Sequence, residues 1–382
     1  MRFIHTADWH LGRSFYNVSL IDDQAYVLNQ LIDFARDSHP DVLIVAGDIY
    51  DRASPPLEAV KLLDEVLCRL ILDLKVSVIL IGGNHDSPLR MEFASRLMET
   101  HRLYVFGSLT ERLHMLDMFD EGRRITFFPL PYSEPSHTSE YFNIPRLANH
   151  EDALRQWVTY IKSNRLAGSH MVLIHHAYVL GSEISESERP LDVGGADTVS
   201  VECFDDFDYV ALGHLHRSQS IGKNGIINYS GSLLKYSFSE VEHKKSVKLV
   251  EMDANGKCKV ETVPLHPKRD MRCVEGTMEN LLRGNVDIGS RDDYIQVRLL
   301  DIGAVFEAMN RLREVFPYLV VIDHTSLLPV GGDISHVDHR KRELIGLFGD
   351  FYKYVTDENL TEEQITAFSN IVNRMRESER QV

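Results

Sequence analysis

Apolar and polar positions follow two rhythms along the chain. Arg2 to Ala7 and Val42 to Ala46 are short, mostly apolar runs that predict buried strands, and Val76 to Ile81 is a third. Between them, Ala25, Leu28, Leu31, Ile32 and Ala35 recur at helical spacing. Leu57, Val60, Leu63, Leu67, Leu70 and Ile71 do the same after Pro55-Pro56, a helix start signal. Strand, helix, strand, helix, strand predicts right-handed crossovers and a largely parallel sheet. Met171 to Ile174 and Tyr209 to Leu212 predict two further buried strands.

The polar stretch Val263-Pro264-Leu265-His266-Pro267-Lys268 breaks this pattern with two prolines. Beyond it a smaller pattern begins. Met271 to Glu275, Tyr294 to Leu300 and Tyr318 to Asp323 read as strands, and Thr277 to Arg283 and Val305 to Phe316 as helices. Turn-rich Pro329-Val330-Gly331-Gly332-Asp333 then leads to two apolar stripes at helical spacing. One is Leu344, Phe348, Phe351 and Val355; the other is Ile365, Phe368, Val372 and Met375. Thr361 and Gln364 form a capping box at the start of the last helix. The expected organisation is 1–265 as an α/β domain, 268–330 as a small α+β domain and 335–382 as a helical element.

The 382-residue length fits two or three domains. Hydrophobic residues are 43% and charged residues 26%, a globular balance. The net charge of −16 excludes nucleic-acid binding through bulk positive charge. It leaves room for a site whose metal ions supply the local charge. No apolar run reaches the roughly 18 to 20 residues of a membrane helix. The opening Met1-Arg2-Phe3-Ile4-His5 carries no signal-peptide core. Cys68, Cys203, Cys258 and Cys273 are scattered, against a zinc knuckle or disulfide framework and in keeping with a cytoplasmic protein.

The chemistry sits after the predicted strands. Asp8-Trp9-His10 follows the first, Gly47-Asp48-Ile49-Tyr50-Asp51-Arg52 the second and Gly83-Asn84-His85-Asp86 the third. His175-His176 and Gly213-His214-Leu215-His216 follow the next two. In a parallel sheet such ends share one edge, where open α/β sheets bind ligands. The donors are carboxylate, amide oxygen or imidazole, without thiolate. They are too many for one ion and suit two cations sharing a carboxylate, with Mn, Fe or Zn all compatible. Each motif alone is weak. A lone histidine such as His5, His39 or His101 reads as structural or solvated, Trp9 and Tyr50 as packing residues, and Arg52 as exposed. His243-Lys244-Lys245 and Lys341-Arg342 read as solvated faces before phosphate contacts. It is the ordered joint pattern that is specific.

That pattern resembles the calcineurin-like metallophosphoesterase superfamily and, within it, the SbcD family. The resemblance rests on His5-Thr6-Ala7-Asp8-Trp9-His10-Leu11-Gly12, Gly47 to Asp51 with Ser54-Pro55-Pro56, Gly83-Asn84-His85-Asp86, Ser187-Glu188-Arg189-Pro190, Ala211 to Arg217 and Tyr229-Ser230-Gly231-Ser232. It is strong over roughly residues 1–240. It implies a sandwich of β-sheets flanked by helices, a small DNA-binding cap and C-terminal helices that dock on the coiled-coil base of an SbcC-type ATPase. The implied activity is Mn-dependent 3′–5′ double-strand exonuclease and single-strand endonuclease cleavage in DNA repair, replication and recombination. Asp8, His10 and His216 would hold one Mn, Asn84, His176 and His214 the other, and Asp48 would bridge them. His85 would face the substrate. The His175-His176 pair leaves the register open; its spacing to Ser187-Glu188-Arg189-Pro190 matches the family with His176 as ligand. Archaeal relatives carry a histidine where Asp51 stands, so Asp51 reads as orienting a neighbour or capping a turn. The implied assembly is two plus two with the ATPase, with a homodimer through the helices near Leu57 to Leu72.

Two other readings compete. A protein Ser/Thr phosphatase or other small-molecule phosphoesterase shares the metal motifs. However, Ala53 stands where phosphoprotein phosphatases have Gly, and Asp86 where they have Glu. A scaffold without metals is opposed by the intact donor set.

Overall fold

A computed structural model describes residues 1–109, 115–188, 198–222, 224–284, 286, 289–301, 305–324, 348–349, 352–353 and 358–368. Met1–Thr325 forms one compact unit and Ser326–Val382 a second. The two-proline stretch near 263–268 therefore lies within the first unit.

Two six-stranded sheets pack face to face. The first runs Cys258–Pro264, Ser246–Met252, Arg2–Thr6, Val42–Ala46, Ser77–Ile81, Leu103–Phe106. Its last four strands are mutually parallel, and the first two are antiparallel additions. The second runs Gln219–Ile221, Ile227–Tyr229, Tyr209–Gly213, His170–His176, Arg123–Leu130, Leu116–Asp120. Its four central strands are parallel and its two edges antiparallel. The five strands that precede the motifs are thus split three and two between sheets, rather than lying in one. Apolar runs without period-2 alternation signal strands buried on both faces, but they do not say which sheet a strand joins.

Both faces of each sheet are indeed covered. Phe3, Ile44, Ile79 and Ile81 from the first sheet meet Phe127, Val172, Ile174 and Tyr209 from the second in a central core. On the outer face of the first sheet, Ile4, Leu43, Val45 and Leu80 pack under Ile21–Ser38 and Leu57–Cys68 through Val27, Leu31, Leu62 and Val66. The outer face of the second is covered by His150–Asn164, which buries Leu154, Trp157, Val158 and Ile161. The result is a sandwich flanked by helices, as expected.

The strands Met271–Gly276, Tyr294–Leu299 and Leu319–His324 form a separate three-stranded sheet with the helices Met278–Arg283 and Ala308–Arg313. All its strands are parallel, so the small module is a βαβαβ unit rather than segregated helices and strands. Its core centres on Leu281, Ile295, Val297, Leu312 and Phe316. Asp23 of the first long helix anchors it, accepting from Tyr294 Oη at 2.8 Å and pairing with Arg269 at 3.2 Å.

In the second unit, the backbone N–H of Thr361 donates to Gln364 Oε1 at 2.9 Å, and that of Gln364 to Thr361 Oγ1 at 3.3 Å, the reciprocal pair of the capping box. The Phe348 and Phe368 rings stack at 4.0 Å. The linker at Pro329–Asp333, the pair Lys341-Arg342, and Leu344, Phe351, Val355, Val372 and Met375 lie outside the described residues.

His5 is fully buried between the two sheets. Its Nε2 lies 3.1 Å from the Leu212 carbonyl, which can only accept, so Nε2 carries the proton. Nδ1 then accepts from the Tyr209 hydroxyl at 3.1 Å. Burial, with Lys248 adding to it, outweighs the Leu212 bond and lowers its pKa to about 3. The unfolded chain binds this proton near pH 6.5 and the folded one only near 3, so stability falls as pH drops through that window. We expect His5→Gln to lose stability less steeply than the parent between pH 6 and 4, by up to about 1.4 kcal/mol per pH unit. Denaturant titrations at both pH values check this; parallel slopes would contradict a neutral buried His5.

Candidate metal centre

The register brings the motif loops together. Thr6 pairs with Val45, Ala46 with Ile81, and Gly213 with His176, so these strands end level with one another. The loops leave at sharp angles. Asp8, His10, Asp48 and His214 all have positive φ, at 52°, 45°, 50° and 101°. Four of the seven candidate ligands therefore occupy backbone that side chains rarely adopt, a feature that gathers at functional sites. Glycines make the close approach possible. A Cβ on Gly213 would overlap the Ala46 carbonyl oxygen, and one on Gly47, at φ 93°, would overlap His176. This places a loop of the second sheet directly on the first.

Donor atoms of Asp8, His10 and His216 lie within 4.8 Å of one another, as do those of Asp8, Asp48 and His176. Asp48 Oδ2 is central: it lies 3.6 Å from His10 Nε2, 3.5 Å from His176 Nε2 and 4.0 Å from His85 Nε2. Asn84 Oδ1 is 3.0 Å from His176 Nε2, and the His214 ring is 5.4 Å from that of His176. All seven candidates thus converge on one locus. His176 is the member of its pair that reaches it. His175 instead bonds the Leu130 carbonyl at 2.8 Å.

These donors fit divalent cations. Asp8 Oδ2 is buried with no hydrogen-bond partner, and its Oδ1 accepts only the His214 backbone N–H at 2.8 Å. His10 Nε2 and His216 Nε2 face each other at 3.1 Å. Burial first, and then the neighbouring Asp48 charge, push Asp8 well above the usual carboxylate range. Burial, reinforced by neighbouring imidazoles, pushes His10 and His214 well below the usual imidazole value, and it lowers His176 too. Neutral imidazoles are the form that ligates metal, and a cation relieves the carboxylate repulsion.

His85 differs from the rest. Its side chain is 14% exposed, against 2% or less for His10, Asp48, His176 and His216. Its backbone N–H donates to Asp48 Oδ1 at 2.9 Å. Its Nδ1 donates to the Asp51 carbonyl at 2.8 Å, which leaves Nε2 turned to the open side. The Asp51 side chain does orient neighbours: it takes Arg13 at 2.9 Å and sits 3.6 Å from His10 Nδ1. Asp86 ties the loops together by accepting the N–H groups of Ile49, Tyr50 and Gly83 at 3.0, 2.9 and 3.0 Å.

Behind His216 stands a group that pattern reading missed. Glu240, fully buried, lies 3.3 Å from His216 Nδ1 and pairs with Lys245 at 2.5 Å. Ser187 bridges the two, 2.7 Å from His216 Nδ1 and bonded to Glu240. Burial alone would raise the Glu240 carboxyl, but the Lys245 ammonium and His216 hold it far below the usual range. Lys245 is accordingly buried, in contrast to the solvated face expected of His243-Lys244-Lys245. The signal that could have found it was the apolar run after it, Val247 to Val250, which makes Lys245 the lead-in to a buried strand. Trp9 is fully buried, its indole N–H on Thr6 Oγ1, and Arg52 is exposed, both as expected. Arg189 and Pro190 lie outside the described residues.

Residues 1–218 match the family model described as calcineurin-like phosphoesterase. The chain is 33% identical over 369 residues to the SbcD subunit of the SbcCD nuclease of Staphylococcus epidermidis, covering 95% of this chain and 96% of that one. It is 32% identical over 379 residues to the protein of the same name from Staphylococcus saprophyticus, covering 99% of both. Among solved structures, a dimetal phosphatase from Danio rerio is similar at 11% identity and a TM-score of 0.40, over 69% of this chain and 99% of that one. The chain belongs to the calcineurin-like phosphoesterases and, within them, to the SbcD family.

Proposed function

We propose that this chain is the Mn-dependent nuclease subunit of an SbcC–SbcD type complex. It would hydrolyse phosphodiester bonds at DNA double-strand ends, hairpins and single strands in repair, replication and recombination. The observation that carries this is the gathering of seven oxygen and imidazole donors around Asp48, with the one open imidazole, His85, beside them. The names of the relatives supply the nucleic-acid substrate and the ATPase partner.

In this reading Asp8, His10 and His216 hold one cation, Asn84, His176 and His214 the second, and Asp48 is shared. Two such cations supply the positive charge that a phosphodiester needs and an activated water. A donor set without thiolate suits Mn, with Mg, Fe or Zn as competitors for the same site. His85, its Nδ1 proton engaged by the Asp51 carbonyl, presents Nε2 to the leaving oxygen and holds or delivers the proton there. Glu240 and Ser187 fix the His216 ring from behind, as outer partners of ligating histidines do.

The small module would cap the DNA and residues 335–382 would dock the ATPase, most of the latter lying outside the described residues. No helix among the described residues is long and apolar enough to cross a membrane. An exposed apolar row supports a homodimer: Leu89, Phe93 and Leu97 are 81%, 80% and 74% exposed, and Leu57 on the neighbouring helix is 65% exposed.

Two outcomes are expected. His85→Gln should retain the fold and bound metal yet lose about 10²- to 10⁴-fold in cleavage of hairpin and linear duplex DNA with Mn. Wild-type turnover in that variant would move His85 to a structural role, and cleavage of aryl phosphates but never DNA would favour a small-molecule phosphoesterase. Light scattering should give a dimer of the chain alone and a two-plus-two complex with the coiled-coil ATPase. A monomer that ignores the ATPase would contradict the assembly.

A further inference from the structure

The segment after the first motif forms a two-stranded hairpin, Ser14–Phe15 with Val18–Ser19. Its two turn residues, Tyr16 and Asn17, have φ of 46° and 67°. Two successive positive values make the tight turn that matches strand twist, where Asn, Asp and Gly are the usual residues. Asn17 meets that preference. Tyr16 does not: a bulky side chain in left-handed backbone is an outlier, and such outliers gather at ligand sites.

The strained turn puts an aromatic ring in solvent. Tyr16 is 56% exposed, while its neighbour Phe15 is 6% exposed and packs in the core. The Tyr16 ring rests edge-on against Phe15 at 4.9 Å, and Phe238 lies 5.1 Å from Phe15 and 6.4 Å from Tyr16. Three rings thus hold the Tyr16 ring at the edge of a cavity of about 470 Å³. That is within the roughly 300–1,000 Å³ typical of ligand sites.

The cavity adjoins the metal centre. Ser187, one of its walls, lies 2.7 Å from the Nδ1 of the candidate ligand His216. Arg13, another, is paired with Asp51, whose carbonyl holds His85. The far wall comes from the small sheet, through Gln296 and Arg298. Both arginines already have carboxylate partners, Arg13 with Asp51 at 2.9 Å and Arg298 with Glu275 at 3.3 Å. The cavity is therefore poor in free positive charge and rich in ring faces, hydroxyls and an amide. That chemistry does not suit a phosphate. It suits a flat heteroaromatic group with hydrogen-bonding edges.

We infer that this cavity is a nucleobase subsite, in which an unpaired base next to the scissile phosphate stacks on Tyr16 and Phe238. The inference rests on the proposed nuclease reading and deepens it. Stacking engages any base by its face, so the subsite favours unpaired nucleotides without selecting sequence. Its position next to the centre makes the base one that flanks the bond to be cut.

The test is steady-state cleavage of a single-stranded oligonucleotide by the full chain with Mn, for the parent, Tyr16→Ala and Tyr16→Phe. A second substrate carries one abasic position beside the cut. Tyr16→Ala should raise KM about 5- to 150-fold, with a smaller change in kcat. Tyr16→Phe, which keeps the ring, should retain the parent KM. The abasic substrate should penalise the parent by a similar factor but add little to Tyr16→Ala. An unaltered KM in Tyr16→Ala, or an undiminished abasic penalty in that variant, overturns the subsite alone. A parent that neither cleaves nor binds the oligonucleotide overturns the nuclease reading and the subsite together.

Discussion

The burial of two carboxylates and several imidazoles around one point is the constraint on which the rest depends. Asp48 Oδ2 has histidine nitrogens at 3.5 and 3.6 Å, and Asp8 brings a carboxylate oxygen with no protein partner. Burying unpaired polar and charged groups is costly without compensation. Protein atoms do not supply that compensation here. Two divalent cations would, and this is why the same side chains that look unsatisfied as packing are coherent as a binding site.

Holding such a cluster takes rigid supports. Each candidate ligand leaves a strand of the sandwich within a few residues, and the sandwich is packed on all faces. The loops absorb the strain instead, as the four positive φ values among the ligands record. Asp86 then locks two loops by three backbone N–H bonds. The Glu240–Lys245 pair fixes the last ligand from the opposite side. Breaking a buried pair of this kind by removing one partner typically costs about 3–5 kcal/mol. His216, Glu240 and Lys245 therefore form a single unit in which ligand geometry and stability are joined.

Much of this was legible in the sequence, for identifiable reasons. The strands before Asp8, Asp48 and Asn84 are buried on both faces, so they appear as plain apolar runs between helical stripes. The helix after Pro55-Pro56 begins at Leu57, because the prolines leave little choice. The capping box at Thr361 and Gln364 is a local signal and is present as read. What was not legible is what distant pairing decides. Leu116–Asp120, Cys258–Pro264 and Gln219–Ile221 are edge strands with mixed burial and carry little period of their own. The assignment of strands to two sheets depends on faces meeting across the molecule. In the site, motif residues were found because each sits at a strand end. Glu240, Lys245 and the strained Tyr16 were missed because their roles arise from contacts with residues far away in sequence.

The central claim is that Asp48 is shared by two cations. Metal analysis of the purified chain, by anomalous scattering or elemental stoichiometry after loading with Mn, reads this directly in the parent and in Asp48→Ala. The account predicts two ions per chain in the parent and loss of most bound metal in the variant, because both ions lose a ligand at once. Two ions per chain retained in Asp48→Ala would contradict it.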